Sequence, residues 1–165
     1  MKLVNSLLIT AVIFFFSACG TFEQKVDLAA ETIAIEDLLE SYVLANENQD
    51  FGLIEKIWAP NNDIILYGTD SDERLTGWTD IRDAIKSQFQ LIEETYISAS
   101  DQYIKISDDG KTAWFAETLN YNFVYKGEAR SYEGLRFTGV IVKMNGDWRF
   151  VQAHLSLPGS VDVIE

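Results

Sequence analysis

Two long runs of alternating apolar and polar residues, joined at Asn145-Gly146, constrain the fold of this chain more than any other feature. Both runs lie within residues 135–158, and their apolar side chains recur at every second position, as in strands with one buried face. Asn and Gly readily accept the positive φ angles of a two-residue type I′ turn. Residues 135–158 therefore predict a β-hairpin, and we expect the rest of the chain to curve around it and enclose a cavity.

Helical and extended patterns occupy separate parts of the chain before this hairpin. Apolar residues recur at helical spacing over residues 27–46 and again over 79–94. Between them, Asp50 can cap a short helix that ends before Pro60. Strands are predicted at 63–68, 74–76, 96–107, 112–125, 129–144 and 147–156. Long strands joined by tight turns form a meander, so we predict one α+β domain in which three N-terminal helices pack on a mainly antiparallel sheet.

The first twenty residues have the composition of an export signal. Lys2 gives a positive start, residues 3–16 are almost wholly apolar, and two small residues precede Cys19. A charged start, an apolar segment and small residues at the cleavage point are typical of a secretory signal peptide. The apolar segment is also shorter than the roughly 20 residues that a membrane span needs. We therefore expect export rather than a transmembrane helix.

The residues around Cys19 refine this expectation. The run 16–20, FSACG, resembles a bacterial lipobox, although Phe16 stands where Leu is usual. The resemblance implies that residues 1–18 are a lipoprotein signal peptide and that the Cys19 thiol is lipidated, with residues 19–26 as a short tether. The expected location is the bacterial cell envelope, with the protein anchored to a membrane. An ordinary signal peptide with an incidental cysteine is the alternative.

The charge of the chain limits its partners. There are 13 basic and 26 acidic residues, which gives a formal net charge of −13. We expect no binding to nucleic acid, because no basic stripe is available to neutralise phosphates. An anionic membrane surface would also repel the folded domain. The lipid on Cys19 is therefore the only membrane contact that we expect.

The sequence also argues against a metal site or a bound cofactor. His154 is the only histidine and Cys19 the only cysteine, which leaves no cluster of zinc ligands. The sequence contains neither a phosphate-binding loop nor a dinucleotide-binding fingerprint. We therefore expect no metal and no cofactor.

Three motifs carry a resemblance to a known family. Gly77-Trp78 opens the third helix, a Trp-basic-apolar-apolar run occupies residues 148–151, and an H-x-S-x-P ending starts at His154. In this order, over about residues 35–158, the chain resembles the SnoaL-like branch of the nuclear-transport-factor-2-like superfamily. The resemblance implies a cone-shaped roll, in which a strongly bent sheet wraps around the long helix and leaves an apolar pocket inside.

The same resemblance sets the expected domain bounds. It implies a SnoaL-like domain over residues 27–160, followed by a tail at 161–165. This superfold hosts isomerases, dehydratases, cyclases, binding proteins and association domains. It therefore indicates the fold more narrowly than the function.

Period-two alternation places Glu117, Arg136 and His154 together on the concave face, provided that no bulge swaps the faces of a strand. His154 and Glu117 are the candidate catalytic pair, since an imidazole can move a proton near neutral pH and a carboxylate can orient it. Arg136 could hold a ligand carboxylate or simply pair with Glu117. The candidate ligand-binding residues are Trp58, Tyr67, Phe115, Tyr121, Arg136, Trp148 and Phe150.

Three functions are compatible with these residues. The leading hypothesis is a lipid-anchored protein that binds a small, mostly apolar molecule, because the expected interior is rich in aromatic residues and has few polar groups. The second is an acid–base enzyme of the isomerase, dehydratase or cyclase type that uses His154 with Glu117. The third is a structural module that forms a homodimer through the outer face of the sheet. Alternatively, His154 has only a structural role.

Overall fold

Three helices pack on one curved, six-stranded sheet in the computed structural model, which describes residues 26–70 and 72–159. The helices are α1 (Leu28–Glu47), α2 (Phe51–Ile57) and α3 (Gly77–Leu91). The strands are β1 (Ile65–Tyr67), β2 (Arg74–Thr76), β3 (Ile92–Ile106), β4 (Thr112–Tyr125), β5 (Glu128–Met144) and β6 (Asp147–Ser156). The signal peptide, Cys19, most of the tether and the tail lie outside the described residues.

The strands follow the order β2-β1-β6-β5-β4-β3 across the sheet. Every neighbouring pair is antiparallel except β1 and β6, which are parallel. The predicted α+β cone with a mainly antiparallel sheet is therefore confirmed. The hairpin turn is also confirmed, since φ is 54° at Asn145 and 99° at Gly146, and both positions of a type I′ turn need positive φ.

Side-chain caps define where the first two helices begin. A carboxylate oxygen of Asp27 accepts a hydrogen bond from the Ala30 amide at 3.2 Å, and Asp50 accepts one from the Leu53 amide at 3.0 Å. Each cap satisfies one of the backbone N–H groups that a helix start leaves without a partner. Among the described residues, no helix combines the length and the apolar character needed to cross a membrane.

The third helix differs from its predicted bounds. It begins at Gly77 and ends at Leu91, so the prediction that it continues to about residue 94 was wrong. Ile92, predicted on the apolar face of the helix, is instead the first residue of β3 and pairs with Tyr125. Its carbonyl oxygen also accepts a hydrogen bond from the Gln49 side chain at 2.6 Å. Pairing with a distant strand thus outweighs the local helical pattern.

The core lies between α1 and the concave face of the sheet, and aromatic rings form its centre. Tyr42 of α1 stacks on Phe137 of β5, with ring centroids 4.5 Å apart. Phe115 packs edge-on against Phe137 at 4.9 Å and against Phe150 at 5.6 Å. Aromatic pairs at these distances add to the hydrophobic gain from burial. This aromatic cluster therefore fixes the sheet against the long helix.

A charged contact ties the start of α1 to the β5–β6 hairpin. The Glu31 carboxylate accepts hydrogen bonds from the Lys143 ammonium group and from the Trp148 indole N–H, the latter at 2.9 Å. The hydrogen bond from Lys143 is the main cause that lowers the pKa of Glu31 below its ordinary value, and burial opposes it. Glu31 is therefore stabilised in its charged form by folding.

We expect Glu31→Gln to lower the free energy of unfolding by about 1–2 kcal/mol at neutral pH, since hydrogen bonds to charged groups contribute on this scale. Folding lowers the pKa of Glu31. The difference in unfolding free energy between the wild type and Glu31→Gln should therefore have its full value above the ordinary carboxylate pKa and decrease as the pH falls below it. Urea unfolding of both proteins across this range measures the effect. Asp37→Asn, a change at an exposed position of the same helix, is the control. It should show neither the loss of stability nor the dependence of that loss on pH.

Candidate functional site

A bulge in β6 decides which side chains face the interior. Ile141 of β5 pairs with Phe150, but the next residue, Val140, pairs with Gln152. Val151 is therefore an extra residue in β6, with no partner of its own in β5. A bulge of this kind reverses the inward and outward positions of a strand beyond it.

The reversal places His154 on the outer face of the sheet. Ala153 is fully buried, whereas His154 is exposed and pairs with Thr138. The His154 ring lies edge-on to Tyr67, with centroids 5.9 Å apart, and the Tyr67 hydroxyl accepts a hydrogen bond from Arg74 at 3.1 Å. The prediction that His154 lies on the concave face was wrong. Tyr67, a candidate ligand-binding residue, is 41% exposed beside His154 and is not among the residues that line the large pocket described below.

Arg136 also lies on the outer face. Its neighbours Leu135 and Phe137 are buried, while Arg136 is exposed and pairs with Thr118. Burial of the unpaired Arg136 guanidinium group would cost much free energy, whereas burial of the apolar Leu135 and Phe137 is favourable. The strand therefore turns Leu135 and Phe137 towards the core and Arg136 outward. Glu117 is buried on the concave side, so the predicted cluster of Glu117, Arg136 and His154 does not form.

Three of the predicted ligand-binding residues belong to the packed core. Phe115, Trp148 and Phe150 are 2%, 4% and 0% exposed. The indole N–H of Trp148 is already bonded to Glu31, and the two Phe rings pack against each other. None of the three is among the residues that line the large pocket of the domain.

That pocket has a volume of about 750 Å³ and opens between α1, α3 and the ends of β4 and β5. We call it the cone pocket. Most of its wall is aromatic or aliphatic, and its main apolar residues are Tyr42, Trp58, Ile85, Tyr121, Tyr132 and Leu135. Polar side chains occur towards the rim, where Asp70 and Glu73 lie on one strand connection and Arg130 on β5. Of the predicted ligand-binding residues, Trp58 and Tyr121 line this pocket.

A chain of hydrogen bonds crosses one wall of the cone pocket. The Gln88 amide donates to the Tyr121 hydroxyl at 3.2 Å, and this hydroxyl donates to the Asn46 side-chain oxygen at 3.5 Å. Asn46 in turn donates to the Tyr42 carbonyl oxygen at 2.8 Å. Burial raises the pKa of both Tyr42 and Tyr121. Both phenols therefore keep their protons and can act as hydrogen-bond donors at any physiological pH.

Trp58, a residue of the cone-pocket wall, carries a buried donor that has no acceptor in the part of the chain that the structure describes. Trp58 is 1% exposed, and its indole N–H is buried without a hydrogen-bond partner among the described residues. The ring is held by Phe150, whose centroid lies 5.4 Å away. A buried donor left without a partner costs about 1–3 kcal/mol.

Glu117 lines a second, smaller cavity between α1, β3 and β4. This cavity of about 320 Å³, which we call the side cleft, is lined by Glu36, Leu39, Glu40, Val43, Ala99, Gln102 and Glu117. A bulge in β3 sets two residues, Asp101 and Gln102, opposite the single residue Glu117. Gln102 donates a hydrogen bond to one Glu117 oxygen at 2.8 Å. Burial raises the pKa of Glu117, and this hydrogen bond opposes the rise.

Comparison with known families identifies this architecture. The sequence profile of the SnoaL-like domain matches residues 35–160. The chain belongs to the SnoaL-like domain family. No curated protein sequence matches the chain. The match to the SnoaL-like profile confirms the predicted family resemblance. It covers most of α1 and all of the strands, including those that line the two pockets.

Solved structures with the same fold share little sequence with this SnoaL-like protein. A nuclear transport factor 2-like superfamily protein from Salmonella enterica has a TM-score of 0.73 at 16% identity, over 82% of this chain and 96% of the other. A protein from Streptomyces avermitilis, provisionally designated a dehydratase of the same family, has a TM-score of 0.73 at 14% identity, over 80% and 99%.

A third neighbour illustrates the functional spread among these structures. It is provisionally designated a calcium/calmodulin-dependent protein kinase II association domain and comes from Xanthomonas campestris. Its TM-score is 0.66 at 20% identity, over 77% of this chain and 87% of the other. At such identities the likeness shows the fold alone, so the function of this SnoaL-like domain has to be argued from its own pockets.

Two polar residues of the cone pocket were missed by the sequence reading. Asn46 and Gln88 lie near the ends of α1 and α3, where an amide side chain is usually exposed. Only the docking of both helices against β4 brings them to the Tyr121 hydroxyl. No local signal in the sequence marks these positions as part of a site.

Proposed function

We propose that this SnoaL-like domain binds a small, mostly apolar molecule in the cone pocket. The volume of about 750 Å³ falls within the range of roughly 300–1,000 Å³ that is typical of ligand sites. The wall is predominantly aromatic and aliphatic, and its few polar groups are fixed by neighbours, as the Gln88–Tyr121–Asn46 chain shows. Such a wall favours a ligand that loses little hydration on entry.

The observation that carries the proposal is the indole N–H of Trp58, which has no hydrogen-bond partner among the residues that the structure describes. The Trp58 side chain is 1% exposed and belongs to the wall of the cone pocket, whose other residues are mostly apolar. We infer that the ligand carries a hydrogen-bond acceptor, such as a carbonyl oxygen, and that a small shift of the buried indole on binding brings its N–H to this atom. Binding of this ligand would satisfy a buried donor and cover aromatic surface in a single step.

An acid–base reaction through His154 and Glu117 is not part of this proposal. The two side chains lie on opposite faces of the sheet, so neither can orient the other. The phenols of Tyr42 and Tyr121, with raised pKa values, are suited to donate hydrogen bonds rather than to accept protons. The Tyr121 hydroxyl already donates its one hydrogen to Asn46, so the Tyr42 hydroxyl is the donor that we assign to an oxygen atom of the ligand.

We also propose that the domain is held at a membrane of the bacterial envelope by a lipid on Cys19. The support is the sequence pattern of residues 1–20, with the small residues before Cys19. Fractionation of cells that produce the full chain, with a Cys19→Ser variant alongside, tests this location. Recovery of both proteins in the same soluble fraction would contradict it.

We expect Ala84→Phe to weaken ligand binding by roughly tenfold or more, since a phenyl group added to the α3 wall would fill part of the cone pocket. A panel of aromatic ketones, sterols and apolar acids, screened by thermal shift and followed by calorimetry, measures the effect. Ala34→Phe, the same change at an exposed position of α1, is the matched control and should keep the wild-type affinity. If no compound stabilises the wild-type protein, the proposal fails.

A further inference from the structure

The side cleft contains a buried acid that has no cationic partner within residues 26–70 and 72–159. Glu117 is 4% exposed, and one of its oxygens is buried without a hydrogen-bond donor among the described residues. The ion pairs within residues 26–70 and 72–159 involve Arg82, Arg130 and Lys143, and none of them includes Glu117. A buried carboxylate is normally paired, because the loss of hydration is costly. A cation that entered the cleft would supply the partner that the described residues do not.

The surroundings of Glu117 define the chemistry of that partner. Glu36 and Glu40 of α1 lie exposed at the rim of the cleft, and Leu39, Val43 and Ala99 form its apolar wall. No Lys or Arg is among the lining residues of this cleft. The three carboxylates would attract a cation, and the aliphatic wall would pack against a hydrocarbon chain attached to that cation. The net charge of −13 further favours the approach of a cation.

An organic cation fits this arrangement better than a metal ion does. The described part of the chain contains no group of three or more His, Cys, Asp or Glu side chains placed to hold a metal. Hard divalent cations need several oxygen ligands at once, whereas an ammonium group can use Glu117 alone and bury its carbon chain against Leu39 and Val43.

We propose that the side cleft is a second binding site, specific for a small organic cation that carries a primary ammonium group on a short aliphatic stem. The ammonium group bonds the unpartnered Glu117 oxygen, while Gln102 holds the other oxygen. The cleft volume of about 320 Å³ suits a molecule of a few carbon atoms. The side cleft and the cone pocket share no lining residue, so this site stands independently of the proposed apolar ligand.

The test uses n-butylammonium chloride as the probe and the full chain as the protein. Calorimetry and amide NMR shifts should show saturable binding centred on α1 and β3. Glu117→Gln should weaken this binding by roughly tenfold or more, because the charge partner is lost while the shape is kept. Glu133→Gln, at an exposed acid on β5 that does not line the cleft, should leave it unchanged. 1-Butanol, which has the same stem without the charge, should not bind.

A second readout separates binding from a purely structural role. Without amine, Glu117→Gln should unfold at the same temperature as the wild type or higher, because it removes an unpaired buried charge. Added butylammonium should raise the unfolding temperature of the wild type alone. The proposal is overturned if butylammonium binds Glu117→Gln as tightly as the wild type, if 1-butanol binds equally well, or if no saturable binding occurs. Saturation of the cleft by CaCl₂ in place of the amine would also overturn it.

Discussion

Gly139→Val is expected to lower the free energy of unfolding by about 3 kcal/mol or more, at or above the usual cost of overpacking a core. A Cβ atom at position 139 would lie 2.4 Å from the Gln152 carbonyl oxygen and 2.6 Å from a ring carbon of Phe115. The first of these is backbone inside the β6 bulge, which cannot move without a change in the pairing of β5 and β6. The added side chain must therefore displace either the bulge or the aromatic cluster.

Urea unfolding followed by tryptophan fluorescence measures this loss. Gly159→Val is the matched control, since a Cβ atom at position 159 has no neighbour within 4 Å, and it should change the stability by less than about 0.5 kcal/mol. A cost below about 1 kcal/mol for Gly139→Val would show that the bulge region is less tightly packed than described. NMR shifts of His154, which follows the bulge, should also change in Gly139→Val and not in the control.

Phe150→Ala is expected to lower the free energy of unfolding by about 3–5 kcal/mol, the usual cost of truncating a fully buried Phe. The ring is 0% exposed, and its centroid lies 5.4 Å from that of Trp58, 5.6 Å from Phe115 and 5.9 Å from Tyr42. Removal of the ring leaves a cavity at the centre of the aromatic cluster. It also removes the support that holds the Trp58 indole in the wall of the cone pocket.

Thermal and urea unfolding of purified variants provide the measurement. Tyr103→Ala removes an aromatic ring that is 59% exposed on β3, and its cost should stay within about 0.5 kcal/mol. Phe150→Leu should fall between the two, because it keeps most of the apolar volume. Equal costs for the buried and the exposed ring would contradict the assignment of Phe150 to the centre of the core.

Gly139 and Phe150 lie close to residues whose inward or outward orientation was predicted from the sequence, correctly for β4 and in part wrongly for β6. The alternation along β4 was read with the correct face, since Phe115, Glu117 and Tyr121 are all buried. On β6 the same rule holds up to Phe150 and fails at His154. The rule is local, whereas the bulge at Val151 arises from pairing with β5, including the close approach of the Gln152 carbonyl oxygen to Gly139. A pattern within one strand contains no information on such a register shift.

The two cavities show a similar limit. Five of the aromatic residues predicted to bind a ligand show this. Trp58 and Tyr121 line the cone pocket, whereas Phe115, Trp148 and Phe150 do not. All five have the residue type expected of a pocket or of a core. Whether an aromatic ring borders empty space depends on how far α1 and α3 stand from the sheet, which is set by the sum of many distant contacts. The separation of Glu117 into a cleft of its own depends on the same packing.

The sequence by itself determined the features that depend on neighbours along the chain. These include the Asn145-Gly146 turn, the caps at Asp27 and Asp50, the α+β order of elements and the SnoaL-like family. Only the tertiary structure decided that His154 faces outward and that, within the described part of the chain, the Trp58 N–H lacks an acceptor and Glu117 lacks a cation. Each of these depends on which distant groups come within hydrogen-bond distance, and that is decided when the sheet closes around α1.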